Sequence, residues 1–116
     1  MEKLFEIIFL KEALDFLKGL TPKHYEKILY TIRRAQIKND PELFKKLNSE
    51  LWEFRTLYQG IQSRLLAFWD KSSSSNTLVI STHGFIKKQS KVPDKEIDKA
   101  TALRRKYFDD KLKNKK

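Results

Sequence analysis

The chain contains no cysteine. A disulfide framework, a thiolate nucleophile and a cysteine-ligated zinc site are thereby excluded. Histidine is scarce, with only His24 and His83, too few for a histidine-rich metal centre. No apolar run approaches the roughly 18 residues of a membrane span. The first residues lack a basic segment followed by an apolar one and a small-residue cleavage site, so a cytoplasmic protein without membrane contact is expected. Paired carboxylates, a Ser/His/Asp order and a phosphate-binding glycine loop are also missing. Negative charge is in short supply: 15 Asp and Glu face 25 Lys and Arg, for a net charge of +10.

The 116 residues fit one domain, 1–116, with a basic tail from about residue 109 to 116. A chain of this size buries roughly two-thirds of its unfolded surface, enough for one modest core. Its 40% hydrophobic and 12% aromatic content separates it from disordered basic tails. The charge is uneven. Residues 1–49 carry a net +3, residues 50–85 are neutral, and residues 86–116 carry +7. A lopsided basic end is an electrostatic footprint for a polyanion such as nucleic acid, or else a solvated lysine-rich terminus.

The apolar run Phe5–Leu10 predicts a first strand. Ala13, Leu14, Phe16, Leu17 and Leu20 then follow at helical spacing, with Gly19 placed to close the helix in a left-handed conformation. Thr21-Pro22 restarts the chain as a cap and first helical residue. Tyr25, Ile28, Leu29 and Ile32 make one buried stripe, so the two helices form a hairpin. Asp40 caps a short turn holding Leu43, Phe44 and Leu47. The period then falls to two. Leu51–Tyr58, Ile61–Asp70 and Thr77–Phe85 read as strands, joined by a turn at Gln59-Gly60 and a polar loop, Lys71 to Asn76. Pro93 opens a final helix with acidic residues first, lysines last, and the stripe Ile97, Ala100, Leu103, Tyr107. The order is β-α-α-β-β-β-α. It predicts an α+β fold with helices packed on one face of a mainly antiparallel, four-stranded sheet.

A turn centred on Gln59-Gly60 sets Arg55 opposite Arg64. A hairpin centred on the serine loop sets Arg64 opposite His83. The three would form one row on one sheet face, and strand parity places Lys87 on that side too. Like charges directly opposed are destabilising, so such a row is matched to an anion. The plainer readings are an ion pair of Arg55 with Glu53 or Glu50, and an ordinary hydrogen-bonded His83. Trp52, Phe54, Phe68, Trp69 and Phe85 read as core, with Trp69 and Phe85 near strand ends as potential stacking platforms. With metal ligands scarce, the phosphodiester chemistry left open is metal-free and needs no cofactor. RNA permits it, because its 2′-hydroxyl can attack the adjacent phosphate. Arginine forks would stabilise the phosphorane, and lysine or histidine would move protons.

Leu51-Trp52-Glu53-Phe54-Arg55, Ser63-Arg64-Leu65-Leu66, Thr82-His83-Gly84-Phe85-Ile86-Lys87-Lys88 and the Pro93 helix resemble the RelE/ParE toxin superfamily. The nearest branch is the phage-derived HigB-like group, and the likeness spans nearly the whole chain. The resemblance implies a type II toxin–antitoxin toxin that cleaves mRNA on the ribosome. It also implies an antitoxin partner, commonly a helix-turn-helix protein. It maps catalytic roles onto Arg64, Lys87 or Lys88, and Arg55. The family tyrosine after the last strand has no counterpart in Gln89–Asp94, and Tyr107 does not match it, so His83 or a lysine would take the base role. Lys91, Arg104 and Arg105 would bind RNA backbone. A gyrase poison of the ParE type, and a non-catalytic RNA- or ribosome-binding phage remnant, are the alternative functions.

Overall fold

The computed structural model describes residues 2–72 and 77–114; the serine loop from Ser73 to Asn76 and the last two tail lysines lie outside the described residues. The elements are β1 (Glu6–Phe9), α1 (Lys11–Lys18), α2 (Pro22–Ile37), β2 (Phe44–Lys46), β3 (Trp52–Tyr58), β4 (Ile61–Asp70), β5 (Leu78–Lys87) and α3 (Asp94–Lys113). They form a five-stranded mixed sheet in the order β1-β5-β4-β3-β2. β1 runs parallel to β5, and the other neighbours are antiparallel. Where four strands were expected there is a fifth. The segment holding Phe44 is an edge strand and not a capped turn alone. Three residues are too few to show a period, and pairing with β3 defines the strand.

The helical hairpin forms as its caps dictate. Thr21 Oγ1 accepts from the His24 backbone N–H at 3.3 Å, and Pro22 opens α2. Gly19 closes α1 in the right-handed region, at φ −82°, and not left-handed as expected.

The helices lie on both faces of the sheet, not on one. α1 and α2 pack with Phe54, Leu65, Ala67 and Val79 in one core cluster. Leu51, Leu66, Phe68 and Ile80 point the other way and form a second cluster with Val92 and Ala100 of the α3 region. Two covered faces explain why β4 is apolar on both sides from Leu65 to Phe68.

β5 changes face midway. Leu65 pairs with Gly84 but Ala67 pairs with Ser81, so Thr82 and His83 together oppose Leu66 in a bulge. Before the bulge, Leu78 and Ile80 lie on the α3 face. After it, Phe85 and Lys87 lie on that same face. Gly84 then turns toward α1. A Cβ there would fall within 2.7 Å of Phe16 Cγ. Gly84→Ala is expected to destabilise the fold by about 1–3 kcal/mol, the usual range for overpacking, read as a lower urea midpoint.

Candidate functional site

The Gln59-Gly60 turn puts both central residues at positive φ, 50° and 78°, the geometry of a two-residue hairpin loop. It fixes Arg55 directly opposite Arg64, as the turn arithmetic predicts. The next register differs from expectation. Arg64 faces Phe85, not His83, because the hairpin closes with Asp70 opposite Leu78 and the bulge then shifts it again. Lys87 pairs with Gln62, two residues from Arg64, and so shares its face. α3 meets this part of β5 at its first turn, where Glu96 pairs with His83. Beyond that row the face carries Arg55, Arg64 and Lys87.

Arg64 is the centre of this group. It is 3% exposed, unusual for an arginine. Its Nε lies 2.9 Å from Glu53 Oε1. The angle is too poor for a hydrogen bond, so both atoms remain without one. The attraction is therefore Coulombic rather than directional. One terminal nitrogen donates to the Ser63 carbonyl and the other to Gln62 Oε1, each at 3.0 Å. Burial pushes the guanidinium below its usual range, the Glu53 charge opposes that, and Arg55 adds to it. Glu53 thus pairs with Arg64, not Arg55. Arg55 is half-buried, and its Nε has no hydrogen-bond partner among the described residues.

Lys87 is half-buried at the end of β5. Burial and then the Arg64 charge push its ammonium below the ordinary lysine range; Glu53 opposes, while Arg55 and Lys45 push further. Lys45 enters because β2 sets it opposite Glu53. It was not legible in the sequence, since its strand was not. Arg55, Glu42, Gln62 and Arg64 line an open concavity of about 300 Å³ on this face. Glu42 is the second residue that strand reading missed. It sits in the Asp40 turn, whose side chain accepts from the Glu42 N–H at 2.9 Å. Four cations therefore converge around one buried carboxylate, with a second carboxylate at the rim.

The remaining candidates scatter. His83 is 2% exposed under α3. Its Nε2 pairs with Glu96 at 2.9 Å and its Nδ1 with Thr82 Oγ1 at 3.2 Å, so both ring nitrogens are engaged. Burial lowers its pKa and keeps the ring neutral near pH 7. Lys88 and Lys91 are exposed just past β5. Arg105 is exposed on α3, whereas Arg104 pairs with Glu50 and lies 5.1 Å over the Phe108 ring. Tyr107 is far from this group by sequence and by contact: its hydroxyl donates to Asp70 at 2.6 Å. The helical elements carry no membrane span, for no helix among the described residues is long and apolar enough to cross one.

No curated protein matches this sequence at a significant level. A family of phage proteins does, described as "Phage derived protein Gp49-like (DUF891)", over residues 15–105. That stretch runs from the middle of α1 to the middle of α3 and includes every residue of the cation group. With most of its length matched, and the whole sheet from β2 to β5 inside the match, the chain belongs to the Gp49-like family of phage-derived proteins.

Proposed function

We propose that this protein is the toxin of a type II toxin–antitoxin system, of the HigB-like branch of the RelE/ParE superfamily, and that it cleaves mRNA on the ribosome without a metal ion. The observation that carries this reading is the convergence of Arg55, Arg64, Lys87 and Lys45 on one face of the sheet. Family placement and the sequence resemblance support it. The protein would be held in check by a helix-turn-helix antitoxin.

The chemistry follows from the group. A base takes the proton of the 2′-hydroxyl, whose oxygen attacks the adjacent phosphorus. The P–O5′ bond breaks, an acid protonates the leaving 5′-oxygen, and a 2′,3′-cyclic phosphate remains. Arg55 and Lys87 reach solvent and would meet the phosphate first. Arg64 lies beneath them and supplies positive potential in a low-dielectric setting, where charge acts more strongly than in water. Lys87, with its pKa lowered by burial and by the Arg64 charge, would be the proton carrier.

The test is cleavage mapping on translating ribosomes by primer extension. Wild type is expected to give discrete cuts, and Lys87→Gln a rate lower by roughly 10²–10⁴, the usual contribution of general acid–base groups. If Lys87 is the base, the rate rises with pH up to its depressed pKa. Lys87→Arg keeps the charge and should lose that limb. Tight ribosome binding without any cut would select the non-catalytic reading. DNA damage without mRNA loss would select gyrase poisoning.

A further inference from the structure

A second site of different composition lies at the other end of the sheet. β2, the start of β3, the end of β4 and α3 enclose a cleft of about 570 Å³, within the size range of small-ligand pockets. Trp52 and Trp69 form its wall. These are the only two tryptophans in the chain. Their rings meet edge to face, with centroids 6.0 Å apart. Phe44 backs Trp52 at 4.9 Å and Phe5 backs Trp69 at 5.6 Å, so both indoles are held firmly from behind. Each is half-buried, and neither indole N–H has a hydrogen-bond partner among the described residues. Lys46 and Arg104 face the same cleft, with Lys71 at its rim. Glu50, the one carboxylate lining it, is engaged with Arg104. Lys46 is exposed and makes no ion pair among the described residues.

Fixed aromatic surface with unused N–H donors fits a planar heterocycle. A free ammonium beside it fits a phosphate. The cleft is separate from the Arg64 group. Trp69 lies five residues along β4, about 17 Å at the usual strand rise, and points to the opposite face. We propose that the Trp52–Trp69 cleft is a nucleotide-binding site, taking one base against the indoles and its phosphate on Lys46. The proposal does not depend on RNA cleavage. The nucleotide would be either free or one residue of a single-stranded RNA.

Because both tryptophans line the cleft, intrinsic fluorescence reads it directly. The full chain is titrated with adenosine 5′-monophosphate, with a penta-adenylate RNA, and with inorganic phosphate. Saturable quenching by the mononucleotide and the RNA alike would assign a free-nucleotide site. Saturable quenching by the RNA alone would assign a strand subsite. Lys46→Ala, an exposed substitution that keeps both reporters, is expected to weaken binding about tenfold, the loss of one charged contact. Arg64→Lys is expected to leave the titration unchanged. Linear, non-saturating quenching, or an unchanged affinity in Lys46→Ala, would overturn the proposal. So would loss of the signal in Arg64→Lys, which would place the ligand at the other site.

Discussion

Arg64→Ala is expected to abolish growth arrest and to lower ribosomal mRNA cleavage by at least 10²–10³, the usual cost of removing one transition-state charge stabiliser. The substitution also removes the partner of a buried carboxylate. Glu53 is 6% exposed, and without Arg64 its buried charge would lose its ion-pair partner. Breaking such a pair from one side costs about 3–5 kcal/mol. Loss of toxicity in Arg64→Ala alone would therefore confuse chemistry with folding. The double variant Arg64→Gln with Glu53→Gln separates them. It replaces the ion pair by two neutral amides of similar size and should recover most of the urea midpoint. It should not recover cleavage. Full toxicity in a folded double variant would remove Arg64 from the mechanism. Arg64→Lys gives an intermediate result on the same reading. Charge is kept, but the planar fork is lost, and lysine cannot bridge Ser63, Gln62 and Glu53 together.

Asp70→Ala is expected to be the most destabilising substitution outside the cation group, by about 3–4 kcal/mol. Asp70 is fully buried at the end of β4. Lys111 Nζ and the Tyr107 hydroxyl both donate to Oδ2 at 2.6 Å, and the Ser72 N–H donates to Oδ1 at 2.9 Å. These contacts fasten α3 to the sheet. Removing the acceptor strands a phenol whose own pKa is raised by burial and by Asp70, and leaves Lys111 without its carboxylate. The same residue sets an acid limit. Burial alone would raise the Asp70 carboxyl, but bonds from Lys111, Ser72 and Tyr107 outweigh it and hold the group well below the usual carboxylate range. A depressed folded pKa means stability that is complete above the unfolded value near 3.8 and is lost as pH falls below it. Urea midpoints of wild type should therefore fall below about pH 4, and Asp70→Asn should flatten that fall. An equal acid slope in Asp70→Asn would show that other carboxylates set the limit. Because α3 covers Phe68 and holds His83 through Glu96, its release would also loosen the base of the candidate site.

Local signals were sufficient wherever local chemistry set the geometry. Thr21-Pro22 specified the start of α2, and the period-two run from Trp52 specified β3. The two-residue Gln59-Gly60 turn fixed the β3–β4 register to the residue, because a turn at positive φ leaves the flanking strands a single pairing. Arg55 opposite Arg64 was thus readable from the chain. Lys87 on the Arg64 face was readable from strand parity.

What only the tertiary structure decided is non-local. The bulge at Thr82-His83 re-aims the end of β5, and a long loop gives no fixed register to forecast it from. It moved His83 under α3, where Glu96 and Thr82 occupy its ring, and set Phe85 opposite Arg64. Glu53 chose Arg64 over Arg55 because alternation placed it one row from each, and the choice depended on burial. Lys45 joined the group through β2, a strand too short to have a period and created by its neighbour. The parallel pairing of β1 with β5 joins segments about 70 residues apart and leaves no trace in either. Residue types and turn chemistry determined which cations could meet, while packing on both faces of the sheet decided which of them did.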